Sequence, residues 1–156
     1  MSIYDFEQLM SQTRQLASQY REATGQSLPV TVELARFDAI TLLGLTELSD
    51  SESEALLIEN EQEKRVQIKG RVIFPGGKSR QRVGQLNLQS EWDYTILVIY
   101  DADYLPSAIY RMARNIAEQE MASQTTNKRG AMTVAKFKAI GEPVWERPET
   151  KQSESL

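Results

Sequence analysis

Asp38 lies in the apolar stretch Ala35-Arg36-Phe37-Asp38-Ala39-Ile40, and further along comes Val66-Gln67-Ile68-Lys69-Gly70. On extended backbone, Gln67 and Lys69 project from one face, about 7 Å apart at the usual rise per residue. A carboxylate from a neighbouring strand, an amide oxygen and an ammonium at this spacing would together hold a hard cation and a water. Mg²⁺ takes one or two protein oxygens and keeps most of its waters. A lysine ammonium beside such a water orients it and balances charge developing at phosphorus. Taken singly, each piece has a plainer meaning. An Asp in a strand marks a turn or a sheet edge, and alternating polar residues mark a solvated face.

The rest of the composition narrows the chemistry. The chain has 156 residues, no cysteine and no histidine. Disulfides, thiolate zinc sites, a Cys nucleophile, a Ser-His-Asp triad and imidazole ligands are therefore excluded. No GxxxxGK[ST], GxGxxG or GxSxG occurs, and Gly76-Gly77-Lys78-Ser79 lacks the first glycine of a phosphate loop, so it reads as an ordinary loop. The longest apolar run, Thr95–Tyr100, is far short of the ~20 residues that cross a bilayer. The opening MSIYDFEQLM shows no signal peptide, and a soluble cytoplasmic protein is expected.

Charge is segregated along the chain. The net charge is −4 and the pI about 5.0. Residues 1–63 hold 12 acids and 3 bases, whereas residues 64–141 hold 6 acids and 13 bases. A basic surface on an acidic protein follows if the fold keeps these parts apart. Arg71, Lys78, Arg80 and Arg82 come directly after the lysine motif, and Lys128, Arg129, Lys136 and Lys138 form a second basic group.

These side chains need elements to position them. Phe6, Leu9, Met10, Thr13, Leu16, Ala17 and Tyr20 recur at helical spacing and predict an amphipathic helix ended by Gly25. Leu28–Leu48, rich in β-branched residues behind Pro29, reads as one or two strands carrying Asp38. Ala55–Asn60 and Arg65–Phe74 read as strands joined by the turn Glu61-Gln62-Glu63-Lys64. Tyr94–Tyr100 reads as a strand buried on both faces. Ser107–Met121 reads as mainly helical, with Ile109-Tyr110 as an optional edge strand, and Thr133–Ile140 as a short helix capped by Thr133. The expected architecture is α/β or α+β, a central mixed sheet of four to five strands flanked by helices. One domain is expected over residues 1–145, with residues 146–156 as a frayed charged tail.

Phe37-Asp38 and Gln67-Ile68-Lys69, in this order and followed by the buried strand Tyr94–Tyr100, resemble the PD-(D/E)XK nuclease-like superfamily in a Q-x-K version. The resemblance spans roughly residues 3–121. It implies a restriction-endonuclease-like fold and Mg²⁺- or Mn²⁺-dependent hydrolysis of DNA phosphodiesters. It further implies Asp38, Gln67 and the Ile68 carbonyl as metal ligands, Lys69 as the residue that orients the attacking water, and Glu7 as an added carboxylate from the first helix. Arg71, Lys78, Arg80 and Arg82 would then contact phosphates, with affinity that falls as salt rises. A neutral Gln67 removes one charge from the cation site, and Glu59 would compensate if its strand pairs beside the lysine strand. The competing reading is a nuclease fold that binds DNA or a protein partner without cleaving, and an immunity-type partner is a third. A homodimer would suit cutting of both strands. No helix-turn-helix or zinc finger stands out to set a target sequence.

Overall fold

A computed structural model describes residues 3–48, 54–75, 81–123 and 131–149. The chain begins with α1 (Ile3–Thr24) and α2 (Thr31–Leu43), followed by β1 (Thr46–Glu47), β2 (Glu54–Glu59) and β3 (Gln62–Val72). Then come β4 (Arg82–Gln85), β5 (Tyr94–Tyr100), β6 (Pro106–Ala113), α3 (Arg114–Ser123), β7 (Ala131–Thr133), α4 (Val134–Ile140) and β8 (Glu142–Glu146). A mixed six-stranded sheet has the order β1-β2-β3-β5-β6-β8, and β4 and β7 form a separate two-stranded ribbon. The sheet is antiparallel throughout except where β3 runs parallel to β5. The protein is thus α+β with a central mixed sheet flanked by helices, one strand wider than the expected maximum.

Alternation along β3 divides the interior. Val66, Ile68 and Val72 face one side, where they join Ile96, Val98 and Tyr100 of β5 and Ala17, Leu34, Ala35 and Ala39 of the first two helices. Leu97, Ile99 and Met112 face the other side, under Val83, Ala117, Met132, Val134 and Phe137. The buried strand β5 therefore supplies both cores, as its unbroken apolar run requires. Gly70 belongs to the first side. A Cβ there would lie 2.7 Å from the Ala35 Cβ and 3.1 Å from the Thr31 Cγ2, so the missing side chain lets α2 settle directly on β3.

Several elements differ from the sequence expectations. Leu28–Leu48 is mainly the helix α2, not strands. Leu34, Ala35, Asp38 and Ala39 are its buried residues, spaced for one helical face. Gly44, at φ 66°, closes it in the left-handed conformation that glycine adopts without a Cβ penalty. Burial at that spacing overrides the β-branched composition. β6 is an eight-residue strand inside the sheet between β5 and β8, so helix begins only at Arg114. The β2–β3 hairpin turns tightly at Asn60 and Glu61, both at positive φ (52° and 64°), as two-residue hairpin turns require. Residues 146 and 147, at the start of the expected frayed tail, are tied to the sheet. Glu146 pairs with Ala108, and Arg147 donates from its backbone to Ser107 and from its guanidinium to Asp101 at 2.8 Å. Residues 150–156 of the tail lie outside the described residues.

Gly70→Ala places a methyl group against Ala35. The expected loss of stability is about 1–3 kcal/mol, the usual effect of overpacking a filled core. Adding Ala35→Gly should recover part of it, less the ~1 kcal/mol that glycine costs inside a helix. Urea unfolding of the two variants measures both effects.

Candidate functional site

Asp38, expected on a strand beside Lys69, sits on α2 within the first core and is 4% exposed. One carboxylate oxygen is ion-paired with Arg14 of α1. The other accepts a hydrogen bond of 2.6 Å from the Tyr100 hydroxyl. Arg14 also donates to the Tyr104 carbonyl at 2.8 Å, and its guanidinium lies 6.0 Å from the centre of the Tyr100 ring. Burial, and then the adjacent Asp38 charge, push the Tyr100 hydroxyl far above the ordinary phenol range. Burial opposes the charge on Arg14, but the hydrogen bond and charge of Asp38 outweigh it and raise the guanidinium further. With both oxygens engaged and little access to water, Asp38 ties α1, α2 and β5 together. It is not at the Lys69 face.

The reason is parity. Gln67, Lys69 and Arg71 alternate with the core residues of β3 and point away from the helical layer that holds Asp38. Glu7 stands exposed on α1, in that same helical layer, and is likewise separated from Lys69. The Ile68 side chain is buried in the first core, leaving only its backbone carbonyl for any ligand role. Glu59 does pair beside β3, as supposed, but opposite Gln62. Its carboxylate accepts from Tyr94 at 3.0 Å and from Arg111 at 3.3 Å, so it does not compensate at Gln67.

The hairpin register brings a different carboxylate to Gln67. Glu54, the first residue of β2, is directly opposite it. Opposed residues of an antiparallel pair share a face, with Cβ atoms about 4.5–5.5 Å apart. Arg65 engages one Glu54 oxygen through Nε and a terminal nitrogen, both at 3.0 Å, and no partner among the described residues takes the other. The Gln67 amide nitrogen donates to the Thr95 hydroxyl at 2.7 Å, which leaves its oxygen free to accept. Lys69 follows two residues along, half-buried, with no carboxylate partner among the described residues. Burial, and secondarily the charge of Arg71, lower the pKa of its ammonium below the ordinary lysine value. By sequence Glu54 reads as the end of a solvated acidic loop ahead of the strand Ala55–Asn60, whereas it opens β2. Counting back from a two-residue turn at Asn60-Glu61 places it opposite Gln67.

The basic residues divide. Arg71 spends three donors on backbone carbonyls: Arg82 at 2.7 Å, Gly70 at 2.5 Å and Val83 at 2.5 Å. It acts as a clamp, not as an outward phosphate contact. Arg82 is exposed on β4. Lys78 and Arg80, like Lys128 and Arg129, lie outside the described residues. Lys136 is paired with Glu120 at 3.2 Å, and Lys138 rests 5.8 Å from the centre of the Tyr110 ring.

Among the described residues no cluster of three or more His, Cys, Asp or Glu side chains could enclose a metal ion. The free oxygens of Glu54 and Gln67 amount to one anionic and one neutral donor. That set fits a largely hydrated Mg²⁺ or Mn²⁺ and does not fit a dehydrated cage. No helix among the described residues is long and apolar enough to cross a membrane.

Asp38→Ala leaves the Arg14 charge buried and unpaired, and the expected loss is about 3–5 kcal/mol. Tyr100→Phe removes one bond to a charged group and should cost about 1.5–3 kcal/mol. Urea midpoints for both variants check the order. Lys69→Met should raise Tm at neutral pH. The folded chain holds the Lys69 proton less tightly than the unfolded chain, so the penalty of the charged amine is fully present there. It is relieved as pH rises through the lowered value toward the ordinary 10.5, and the Met variant's advantage should shrink over the same range. Comparison of the sequence with protein-family models and with curated proteins returned no match, so geometry and chemistry alone speak for this face.

Proposed function

We propose that the chain is a metal-assisted hydrolase of DNA phosphodiesters, of the PD-(D/E)XK nuclease-like kind, with Glu54 in the place expected for Asp38. The observation that carries this reading is the shared face of Glu54, Gln67 and Lys69 on two neighbouring strands. The order of the sheet supports it too, since the β2–β3 hairpin is followed by the parallel strand β5, in keeping with a restriction-endonuclease-like core.

Glu54 and Gln67 would hold Mg²⁺ or Mn²⁺ through one carboxylate oxygen and one amide oxygen. When bound, the ion supplies Lewis acidity and a water that ionises more readily. Thr95 fixes the Gln67 amide so that its oxygen, not its nitrogen, faces the site. Glu54 must share or release Arg65 to serve as a ligand. Lys69, with no carboxylate partner among the described residues, keeps its charge available for a phosphate oxygen or for orienting a water. Arg82, exposed on the strand above, extends the positive surface along which a phosphate backbone would lie. Binding of DNA without cleavage is the second reading, favoured by the engagement of Glu54 with Arg65.

The test is nicking of supercoiled plasmid and cutting of single-stranded DNA with Mg²⁺ or Mn²⁺. The wild type should nick only with metal. Glu54→Gln and Lys69→Met should each lose about 10²-fold or more in rate. Because Lys69→Met is expected to be the more stable protein, its loss would not reflect unfolding. Glu7→Gln should cleave as the wild type does. A wild type that binds DNA in a salt-dependent way yet never cuts it would establish the second reading. Cleavage that survives both site variants would overturn the assignment of this face.

A further inference from the structure

Arg65 stands at the exposed end of the row that continues through Gln67, Lys69 and Arg71 on one face of β3. Its backbone is fixed. The amide donates to the Asp93 carboxylate at 2.8 Å, and the carbonyl accepts from the Asp93 amide at 2.7 Å. Among the described residues its side chain is held only by Glu54. Nε and one terminal nitrogen converge at 3.0 Å on the same carboxylate oxygen, and the other terminal nitrogen makes no bond there. This is not the side-by-side fork in which arginine gives one donor to each oxygen of a carboxylate. One Glu54 oxygen and one Arg65 nitrogen are left over at the same pair.

The two partners differ in freedom. The Arg65 side chain is 44% exposed and the Glu54 side chain 19%. Ion pairs between exposed long side chains hold weakly, and arginine has other positions open to it in solvent. Glu54 opens β2 opposite Gln67, so the hairpin register positions its carboxylate. The arginine is therefore the partner that moves. Its charge is repelled by any divalent cation that the free Glu54 oxygen takes up. Its planar donors also match the paired oxygens of a phosphate better than a single carboxylate oxygen.

We propose that Arg65 is a gate on Glu54: it occupies the carboxylate while the face is empty and moves to a backbone phosphate of the substrate, so that divalent cation and DNA bind cooperatively. The gate rests on the reading above, that this face holds metal and DNA. It makes Arg65 a substrate-contacting residue and not a staple of the hairpin. Such coupling is reciprocal, each ligand raising the affinity for the other by the same factor. A staple would change stability when removed and leave cation affinity where it was.

The experiment measures Mn²⁺ binding to the full chain by electron paramagnetic resonance, in which bound ion is lost from the aqueous signal. Without DNA, Arg65→Gln should bind Mn²⁺ about 10-fold more tightly than the wild type. The double variant Arg65→Gln/Glu54→Gln should lose that gain. Lys64→Gln removes the same charge from the opposite face of β3 and should gain little. Arg65→Lys keeps the charge with a less exact grip, so an intermediate affinity is expected, and it serves alone if Arg65→Gln does not fold. In a second arm, fluorescence anisotropy of a labelled phosphorothioate oligonucleotide, which resists cutting, gives DNA affinity with and without Mn²⁺ at constant ionic strength. Mn²⁺ should tighten DNA binding several-fold more in the wild type than in Arg65→Gln. Equal Mn²⁺ affinity in wild type and Arg65→Gln, a gain matched by Lys64→Gln, or equal tightening of DNA in both overturns the gate. If the wild type then still nicks plasmid, the hydrolase reading stands without it. The expected differences without any nicking leave the gate standing and remove the hydrolase reading. Absence of Mn²⁺ binding in every variant overturns both.

Discussion

The two-residue repeat of β3 governs the rest of the molecule. A strand at the centre of a sheet must satisfy both faces, and β3 does so asymmetrically. Val66, Ile68, Gly70 and Val72 give the helical layer an apolar surface with a gap at Gly70, into which α2 descends. Gln67, Lys69 and Arg71 give the opposite face an amide and two cations at its boundary with the second core. A slip of one residue in register would exchange these sets, burying two uncompensated charges against α2. Fold and chemistry are therefore written into the same residues, and neither can change without the other.

The Arg14–Asp38–Tyr100 cluster answers a different demand on the helical side. Two helices must be held at a fixed angle to β5 although α1 leaves Phe6, Leu9 and Leu16 exposed and, among its described side chains, buries only Ala17 completely. With so little apolar contact from α1, directional bonds carry more of the docking. A buried ion pair is a weak source of net stability but a strong penalty for any arrangement that separates its partners. Arg14 also bonds the Tyr104 carbonyl, which links the helix to the turn after β5. The cluster thus sets the orientation of the helical layer.

On that opposite face the electrostatics are left unbalanced. Elsewhere the described arginines find acids or carbonyls: Arg111 bonds Glu59 and Glu142, and Arg114 bonds Glu118 and the carbonyls of Leu88, Ser90 and Trp92. Lys69 has no such partner among the described residues, while Glu54, opposite Gln67, is held by Arg65. A half-dry ammonium beside a guanidinium raises the local potential well above what a net charge of −4 would suggest. Five acids of the first part of the chain, Asp5, Glu7, Glu22, Glu33 and Asp38, belong to the helical layer on the other side of β3.

The sequence by itself determined the elements whose periodicity is strong: the helix closed by Gly25, the apolar strand Tyr94–Tyr100, the short helix capped by Thr133 and the alternation that pairs Gln67 with Lys69. These depend on neighbours within a few residues, where helical and extended spacing leave different marks. Only the tertiary structure decided that Leu28–Leu48 is mainly helix, since its β-branched residues favour a strand locally and burial against β3 reverses that preference. It also decided which carboxylate joins the lysine. Asp38 and Glu54 are alike in charge, and nothing local ranks one above the other. The face of a sheet on which each one lies is fixed by a hairpin register and a helix docking, and both are long-range contacts that no short motif contains.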